Sequence, residues 1–203
     1  MLFSIIMPSY LGKYRNSASN LEQKIIRAID SVLAQTEQDF ELIVISDGCE
    51  KTIEIVAPLV TEHYPKIRLL QIHKQKQWSG TVRNAGILNA KGDIIIYLDV
   101  DDFWGTEHLK IVKDNFQQYD WVYFNDLVYS KGLWKESKIT LTKGNCGTSN
   151  IAHKRSLDVY WENNSYLHDY VMIQSLIEAS SNYAQIANGQ YYICHKPFPF
   201  YDI

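Results

Sequence analysis

Asp99-Val100-Asp101-Asp102 sets three carboxylates within four residues, directly after the apolar run 94–98. Charges this close repel one another unless a cation or hydrogen-bond donors neutralise them. Oxygen ligands at that spacing suit a hard divalent ion, Mg2+ or Mn2+, with coordination positions left for phosphate oxygens. A solvated acidic turn, with Asp102 near the start of a following helix, accounts for the same residues, and the triplet alone leaves both readings open. Asp169 opens a helical stretch, where a first-turn aspartate is favoured by the helix dipole. Asp47-Gly48 by itself is a simple turn, Arg83 is either an exposed helix arginine or an anion contact, and His195 is a lone histidine.

These residues need elements to bring them together, and the first half of the chain supplies an alternating series. The apolar run 3–7 ending at Pro8 reads as a buried strand. Ser19 and Glu22 form a capping-box pattern ahead of a helix whose apolar face carries Ile25, Ile26, Ile29, Val32 and Leu33. A second buried strand covers 41–46, a helix 51–64 carries Pro58 as a kink or as its true start, and a third strand covers 67–72. A short helix over 80–90, closed by Gly92, leads to a fourth strand over 94–98. This order predicts an α/β fold with a parallel sheet covered on both faces. Ligands of such sheets gather at the carboxyl ends of the strands, where Ser9-Tyr10, Asp47-Gly48 and residues 99–102 all fall. The second half is less regular: antiparallel strands over 121–129 and 133–141, a Gly/Asn/Ser loop over 143–150, a helix from His168 to about Ala179 and a last strand over 190–195. No linker or repeat divides the chain, and one domain over 1–203 is expected.

Several segments carry a resemblance to a known family. Ser4-Ile5-Ile6-Met7-Pro8-Ser9-Tyr10, Ala28-Ile29-Asp30-Ser31-Val32-Leu33-Ala34-Gln35-Thr36 and Phe40-Glu41-Leu42-Ile43-Val44-Ile45-Ser46-Asp47-Gly48-Cys49 resemble, in order and spacing, the opening of family 2 glycosyltransferases. Val82-Arg83-Asn84-Ala85-Gly86-Ile87, Ala90-Lys91-Gly92-Asp93 and Tyr97-Leu98-Asp99-Val100-Asp101-Asp102 continue it. The resemblance implies the GT-A fold: a Rossmann-like, mostly parallel sheet flanked by helices, with a small antiparallel extension. Residues 1–102 would form the nucleotide-sugar half and 103–203 the half that holds the acceptor and the base.

It also implies roles. Pro8, Ser9 and Tyr10 would line the base pocket with Asp47 and Gly48, Asp47 accepting hydrogen bonds from the nucleobase. Arg83 would lie near the base or phosphates. Asp99 would contact the ribose or the metal's water shell, Asp101 would ligate the metal directly, and His195 would add a metal or phosphate contact. Tyr166-Leu167-His168-Asp169-Tyr170-Val171-Met172-Ile173 is similar to the segment in which an acidic pair opens a helix; His168 replaces the first acid, and Asp169 is the candidate base. The implied activity is inverting, metal-dependent transfer of a sugar from a nucleotide-diphosphate sugar, a UDP-sugar first, to a hydroxyl of a glycan or lipid-linked saccharide, as in polysaccharide biosynthesis.

Bulk properties narrow the alternatives. A net charge of −3 without a long basic run disfavours nucleic acid, including a modified DNA base in a phage-like setting, as the acceptor. Three well-separated cysteines (Cys49, Cys146, Cys194) suggest neither a disulfide framework nor a zinc site and point to a reducing cytoplasm, with a peripheral membrane position left open. No apolar run reaches bilayer-spanning length, and the sequon at Asn163 reads as a chance match. Residues 12–20, with Lys13 and Arg15, read as a solvated insertion or as a strap over donor or acceptor. Sugar-phosphate nucleotidyl transfer is opposed by Pro-Ser-Tyr where that class has a Gly-rich, Arg-containing loop. A non-catalytic nucleotide-sugar binder is kept open by His168.

Overall fold

The computed structural model describes residues 1–13, 20–76, 78–162 and 167–194. Four parallel strands form its first part: β1 (Phe3–Ser9), β2 (Phe40–Asp47), β3 (Ile67–Ile72) and β4 (Ile94–Tyr97). Every residue of β1, β2 and β4 is buried, as their uninterrupted apolar runs require of strands covered on both faces. The order is β3-β2-β1-β4, so the chain reverses its direction of travel between β1 and β4. That crevice is where open α/β sheets collect ligands.

Beyond β4 the sheet turns antiparallel. β8 (Ile151–Lys154) pairs antiparallel with β4 and with β6 (Trp121–Ser130), β7 (Leu133–Ser137) folds back on β6, and β9 (Tyr183–Ile193) runs parallel to β6. The two-residue β5 (Phe103–Trp104) closes the outer edge against β9. Helices α1 (Leu21–Leu33), α2 (Glu50–Glu62) and α4 (His108–Asn115) pack on one face, where Ile25, Ile29, Val56 and Leu109 join Phe3, Ile5 and Met7. On the other face, α3 (Gly80–Asn89) and α5 (His168–Ala179) bring Val82, Ile87, Met172 and Leu176 against Ile6, Ile43 and Ile45. Alternate residues of β1 thus feed opposite cores, the two-residue period of a strand.

Several expectations are corrected. Of the two placements expected for Pro58, it takes the one inside the helix, α2. Ile26 points outward at 44% exposure, while Lys24 takes a buried place on the inner face of α1. The strand expected over 133–141 stops at Ser137, and the last strand begins at Tyr183, seven residues earlier than residue 190. The β8 strand and α4 had no counterpart among the expected elements. The capping-box Ser19, Arg15, the sequon and His195 lie outside the described residues. Among the described residues no helix is long and apolar enough to cross a membrane.

Candidate active site

Asp99 follows β4 by two residues and meets Arg83 from α3. Arg83 Nη2 donates to Asp99 Oδ1 at 2.7 Å, its Nη1 bonds Ser79 Oγ, and the guanidinium lies 5.1 Å from the Trp161 ring centroid. Asn84, one residue on, clamps Trp161 from both sides: its Nδ2 donates to the Trp161 carbonyl and its Oδ1 accepts the Trp161 N–H, each at 2.8 Å. Arg83, expected near the base or phosphates, is buried with one of its donors fixing one oxygen of Asp99. The second arm of the planar fork is held by Ser79, which fixes the guanidinium that meets Asp99 more firmly than an ammonium could be fixed.

Asp169 is the second residue of α5, so its carboxylate sits at the positive end of the helix dipole. Asp99 and Asp169 line one cleft of about 390 Å³, which also takes in Asp126 of β6 and the 144–150 loop. His168 is buried beside Asp169, with Nδ1 3.5 Å from Asp169 Oδ1, and its ring is flanked by Trp78 at 5.9 Å and Trp161 at 6.0 Å. Burial pushes the His168 pKa down, and nearby Arg83 adds to this against the opposing pull of Asp169 and Asp99. Cys146, also in the cleft, has its thiol pushed up to about 11 by burial and by the Asp169 charge, so it stays protonated at neutral pH.

The nucleotide side is assembled at the ends of β1 and β2. Pro8 and Ser9 are covered within β1, and Ser9 Oγ lies 2.8 Å from Thr52 Oγ1 in α2; Tyr10 is the partly exposed member of that trio. Asp47 is buried, 6% exposed, its Oδ2 accepting from Lys74 Nζ and its Oδ1 from the Gln75 N–H, both at 2.6 Å. Lys74 in turn sits 4.2 Å above the Tyr10 ring. Gly48 turns the chain with φ +59°, and a Cβ there would lie 2.6 Å from the Lys74 backbone nitrogen. Only glycine accepts both the left-handed backbone and the close approach.

The other two aspartates of the cluster are treated differently. Asp102 is fully buried: Oδ2 accepts from the Tyr191 hydroxyl at 2.9 Å and Oδ1 from the Cys194 N–H at 2.7 Å. Tyr191 Oη also accepts the Asp99 N–H, at 3.2 Å, so β9 is tied to the carboxyl end of β4. Asp102 is therefore a structural tie, not a helix cap. Beneath the cluster, Lys24 donates to the Cys194 carbonyl and Arg27 donates to the Asp101 carbonyl at 2.9 Å. Asp101, partly exposed, feels the positive charge of Lys24. Among the described residues no three His, Cys, Asp or Glu side chains gather closely enough to hold an ion by themselves. One or two carboxylates completed by substrate phosphates and water is a common set for Mg2+, so the expected ligands Asp101 and Asp99 would be enough in number.

Asp126 and the Lys24–Cys194 contact were not found by reading the sequence. A carboxylate inside the strand-like run Trp121-Val122-Tyr123-Phe124-Asn125-Asp126 was a usable signal, since buried carboxylates are rare unless paired. Lys24 offered none.

The parallel sheet, its antiparallel extension and the carboxylates at the end of β4 define a glycosyltransferase of the GT-A class. TarS of S. aureus (residues 1–349, solved with UDP-GlcNAc) superposes with a TM-score of 0.74 at 18% identity, over 98% of this chain and 59% of that one. The mannosyltransferase PcManGT of Pyrobaculum calidifontis, in complex with GDP-Man and Mn2+, gives 0.69 at 14% identity, over 98% and 58%. The model of glycosyl transferase family 2 matches residues 4–173, and the chain belongs to that family. An uncharacterized glycosyltransferase of Nostoc sp. is 32% identical over 120 residues, 59% of this chain and 34% of that protein. The amylovoran biosynthesis glycosyltransferase AmsB of Erwinia amylovora is 26% identical over 109 residues, 53% of this chain and 33% of that one. The matches thus span about a third of the length of these two relatives.

Proposed function

We propose that this glycosyltransferase moves a sugar from a nucleotide-diphosphate sugar, in the first instance a UDP-sugar, to a hydroxyl of a saccharide or lipid-linked saccharide, with inversion and with a divalent metal. One observation carries the reading: Asp99 from the 1–102 half and Asp169 from the 103–203 half line the same cleft. The donor side is supported by solved relatives holding UDP-GlcNAc and GDP-Man with Mn2+, and the saccharide acceptor by a relative named for amylovoran biosynthesis.

In this reading Tyr10, Asp47 and Gly48 bound the nucleobase, with Pro8 and Ser9 forming the strand end beneath them. Asp101, with Asp99, holds the metal, and His195 is a further metal or phosphate contact. When bound, the ion offsets the charge that develops on the departing diphosphate. Asp169 takes the proton of the acceptor hydroxyl as its oxygen bonds to the anomeric carbon. The bond from that carbon to the diphosphate oxygen breaks in the same displacement, its electron pair leaving with the nucleoside diphosphate, and a single displacement inverts the centre.

The test is a panel of UDP- and GDP-sugars, with and without Mn2+, read by thermal shift and by nucleoside diphosphate release. At least one donor stabilises the wild type in the presence of Mn2+. Asp169→Asn lowers kcat by about 10²–10⁴ while the donor-induced shift survives. Unchanged turnover in Asp169→Asn removes it as the base, and failure of every donor to stabilise the protein removes the whole reading.

A further inference from the structure

The antiparallel extension has two sides, and the transfer cleft uses one of them. Side chains alternate across a strand, and β6, β7 and β9 turn Asp126, Ser137 and Ile193 toward the cleft, with Asp126 on its floor. Their neighbours Leu127, Glu136 and Tyr192 line a second, larger groove of about 670 Å³, back to back with the first. Helix α4 adds Glu107 and Ile111 to this groove, and β9 adds residues 188–190. The volume falls within the range of small-molecule sites, about 300–1,000 Å³. The proposed transfer assigns nothing to it.

One wall of the groove is a bulge held under strain. β6 and β9 are in register as far as Phe124–Ile186 and again from Asp126–Tyr191, so residues 187–190 stand opposite Asn125 alone. Asn188 and Gln190 take φ of +58° and +48° there. Residues other than glycine seldom adopt this left-handed backbone, and it persists where the surroundings impose it, often at binding sites. Those surroundings are specific. Gly189 packs so closely that a Cβ would lie 2.6 Å from Phe124 Cβ, and its carbonyl bonds the buried His108. Gln190 accepts the Gly105 N–H on its backbone carbonyl at 2.9 Å and the Glu107 N–H on Oε1 at 3.1 Å. Asn125 Oδ1 accepts from the Ile139 N–H at 2.9 Å and from Gln185 Nε2 at 2.8 Å. With their oxygens engaged, both amides are fixed in orientation and keep their NH2 groups as donors.

The lining selects an uncharged polyol. Among the described residues no lysine or arginine lines the groove; Lys110, outside the lining, lies 3.5 Å from Glu107. Sites for carboxylates or phosphates gather such cations. Glu107 and Glu136 are too few to hold a metal ion by themselves, and no third ligand gathers with them among the described residues. Sugar hydroxyls suit this set, donating to the two carboxylates and accepting from the amides of Asn125, Asn188 and Gln190. Ile111, Leu127 and the Tyr192 ring, which stacks on Phe103 at 4.7 Å, supply apolar surface for the C–H face of a sugar ring.

We propose that this groove is a second saccharide site, holding an uncharged stretch of a glycan on the opposite side of the sheet from the transfer cleft. Binding there needs neither donor nor metal, so it stands apart from the transfer reading.

The experiment is isothermal titration, without nucleotide sugar or metal, of maltohexaose, mannohexaose, chitotetraose and hexagalacturonate into the protein. At least one neutral oligosaccharide binds, and hexagalacturonate binds at least about tenfold more weakly, as expected for an anion brought to two carboxylates. Asn188→Gly keeps the left-handed turn and removes the amide, while Glu136→Gln keeps the shape and removes the charge. Each weakens binding of the neutral ligand by about threefold to tenfold. Hydrogen exchange locates the site in the wild type: the bound oligosaccharide slows exchange over 105–111 and 187–192 and leaves 144–150 unchanged. The proposal is overturned if no neutral oligosaccharide binds at millimolar concentration, or if hexagalacturonate binds equally well. Protection confined to 144–150, or full affinity in both variants, overturns it too. The exchange map decides the location even if a variant does not fold. Donor binding and nucleoside diphosphate release test the transferase reading separately, since neither enters this titration.

Discussion

At the residue scale, Arg83 gives Asp99 one orientation through a charge-assisted hydrogen bond to a single carboxylate oxygen. The guanidinium is 4% exposed in its side chain, bonded to Asp99 and Ser79 and set against Trp161, which Asn84 holds in place. Replacing it with lysine keeps the charge but loses the planar fork, since one ammonium cannot reach Asp99 and Ser79 with the same geometry. Hydrogen bonds to charged groups contribute about 1.5–3 kcal/mol, so kcat/KM in Arg83→Lys falls roughly tenfold to a hundredfold. Arg83→Met, which leaves Asp99 without its counter-charge, falls further and also lowers the unfolding midpoint. The check is kcat/KM alongside thermal denaturation for both variants. Full activity in Arg83→Lys would show that Asp99 does not depend on the guanidinium for its alignment.

Among the elements, the turn from β2 into α2 is set by a single glycine. With Gly48 at φ +59° and the Lys74 backbone where a Cβ must go, Gly48→Ala costs about 1–3 kcal/mol. It also disturbs the Asp47 bonds to Lys74 and Gln75. A lowered denaturant midpoint with unchanged m-value reports this, and an unchanged midpoint argues that the turn relaxes freely. This turn was legible in the sequence because Asp-Gly follows an unbroken apolar run, and β1, β2 and β4 were legible for the same reason. Buried parallel strands write their burial into every residue. The later elements do not. The β8 strand is four residues, Ile151-Ala152-His153-Lys154, too short and too mixed to show a period. The β9 strand contains Asn188-Gly189-Gln190, which reads as a turn and hides the half of the strand before it. Lys24 and Asp126 owe their burial to partners far along the chain, Cys194 and Asn150, and no local pattern records a contact of that range. Of the cleft's floor the sequence showed only a carboxylate inside a strand-like run and a Gly/Asn/Ser loop, with nothing to pair them, while Asp99 and Asp169 were nameable from spacing and resemblance.

Across the whole molecule, the two cores on either side of the sheet each enclose a histidine. His108, from α4, is fully buried against Trp104 and Phe124 and bonds the Gly189 carbonyl. His153, from β8, is 1% exposed on the other face, its Nε2 2.7 Å from the Tyr97 hydroxyl. Burial pushes both pKa values down, to about 3 for His108 and about 4 for His153 from the ordinary 6.5, with the Lys154 carbonyl bond opposing the shift for His153. His168 is shifted in the same sense by its burial. A histidine held neutral by the fold binds its proton more readily once unfolded. Its contribution to stability is therefore complete above about pH 6.5 and is lost as the pH falls toward the folded value. Between pH 6.5 and 4 each buried histidine lowers the unfolding free energy by on the order of 1 kcal/mol per pH unit. Both cores thus weaken together, in a range where most carboxylates are still ionised. Chemical denaturation at half-unit steps from pH 7.5 to 4 should give a flat plateau and then a decline beginning near pH 6.5. Replacing His153 with glutamine, which keeps a hydrogen-bond partner for Tyr97, makes that decline shallower, and adding His108→Gln shallower again, even though both variants start from a lower plateau. A decline of unchanged slope in the double variant would assign the acid sensitivity to other groups and detach it from the two cores.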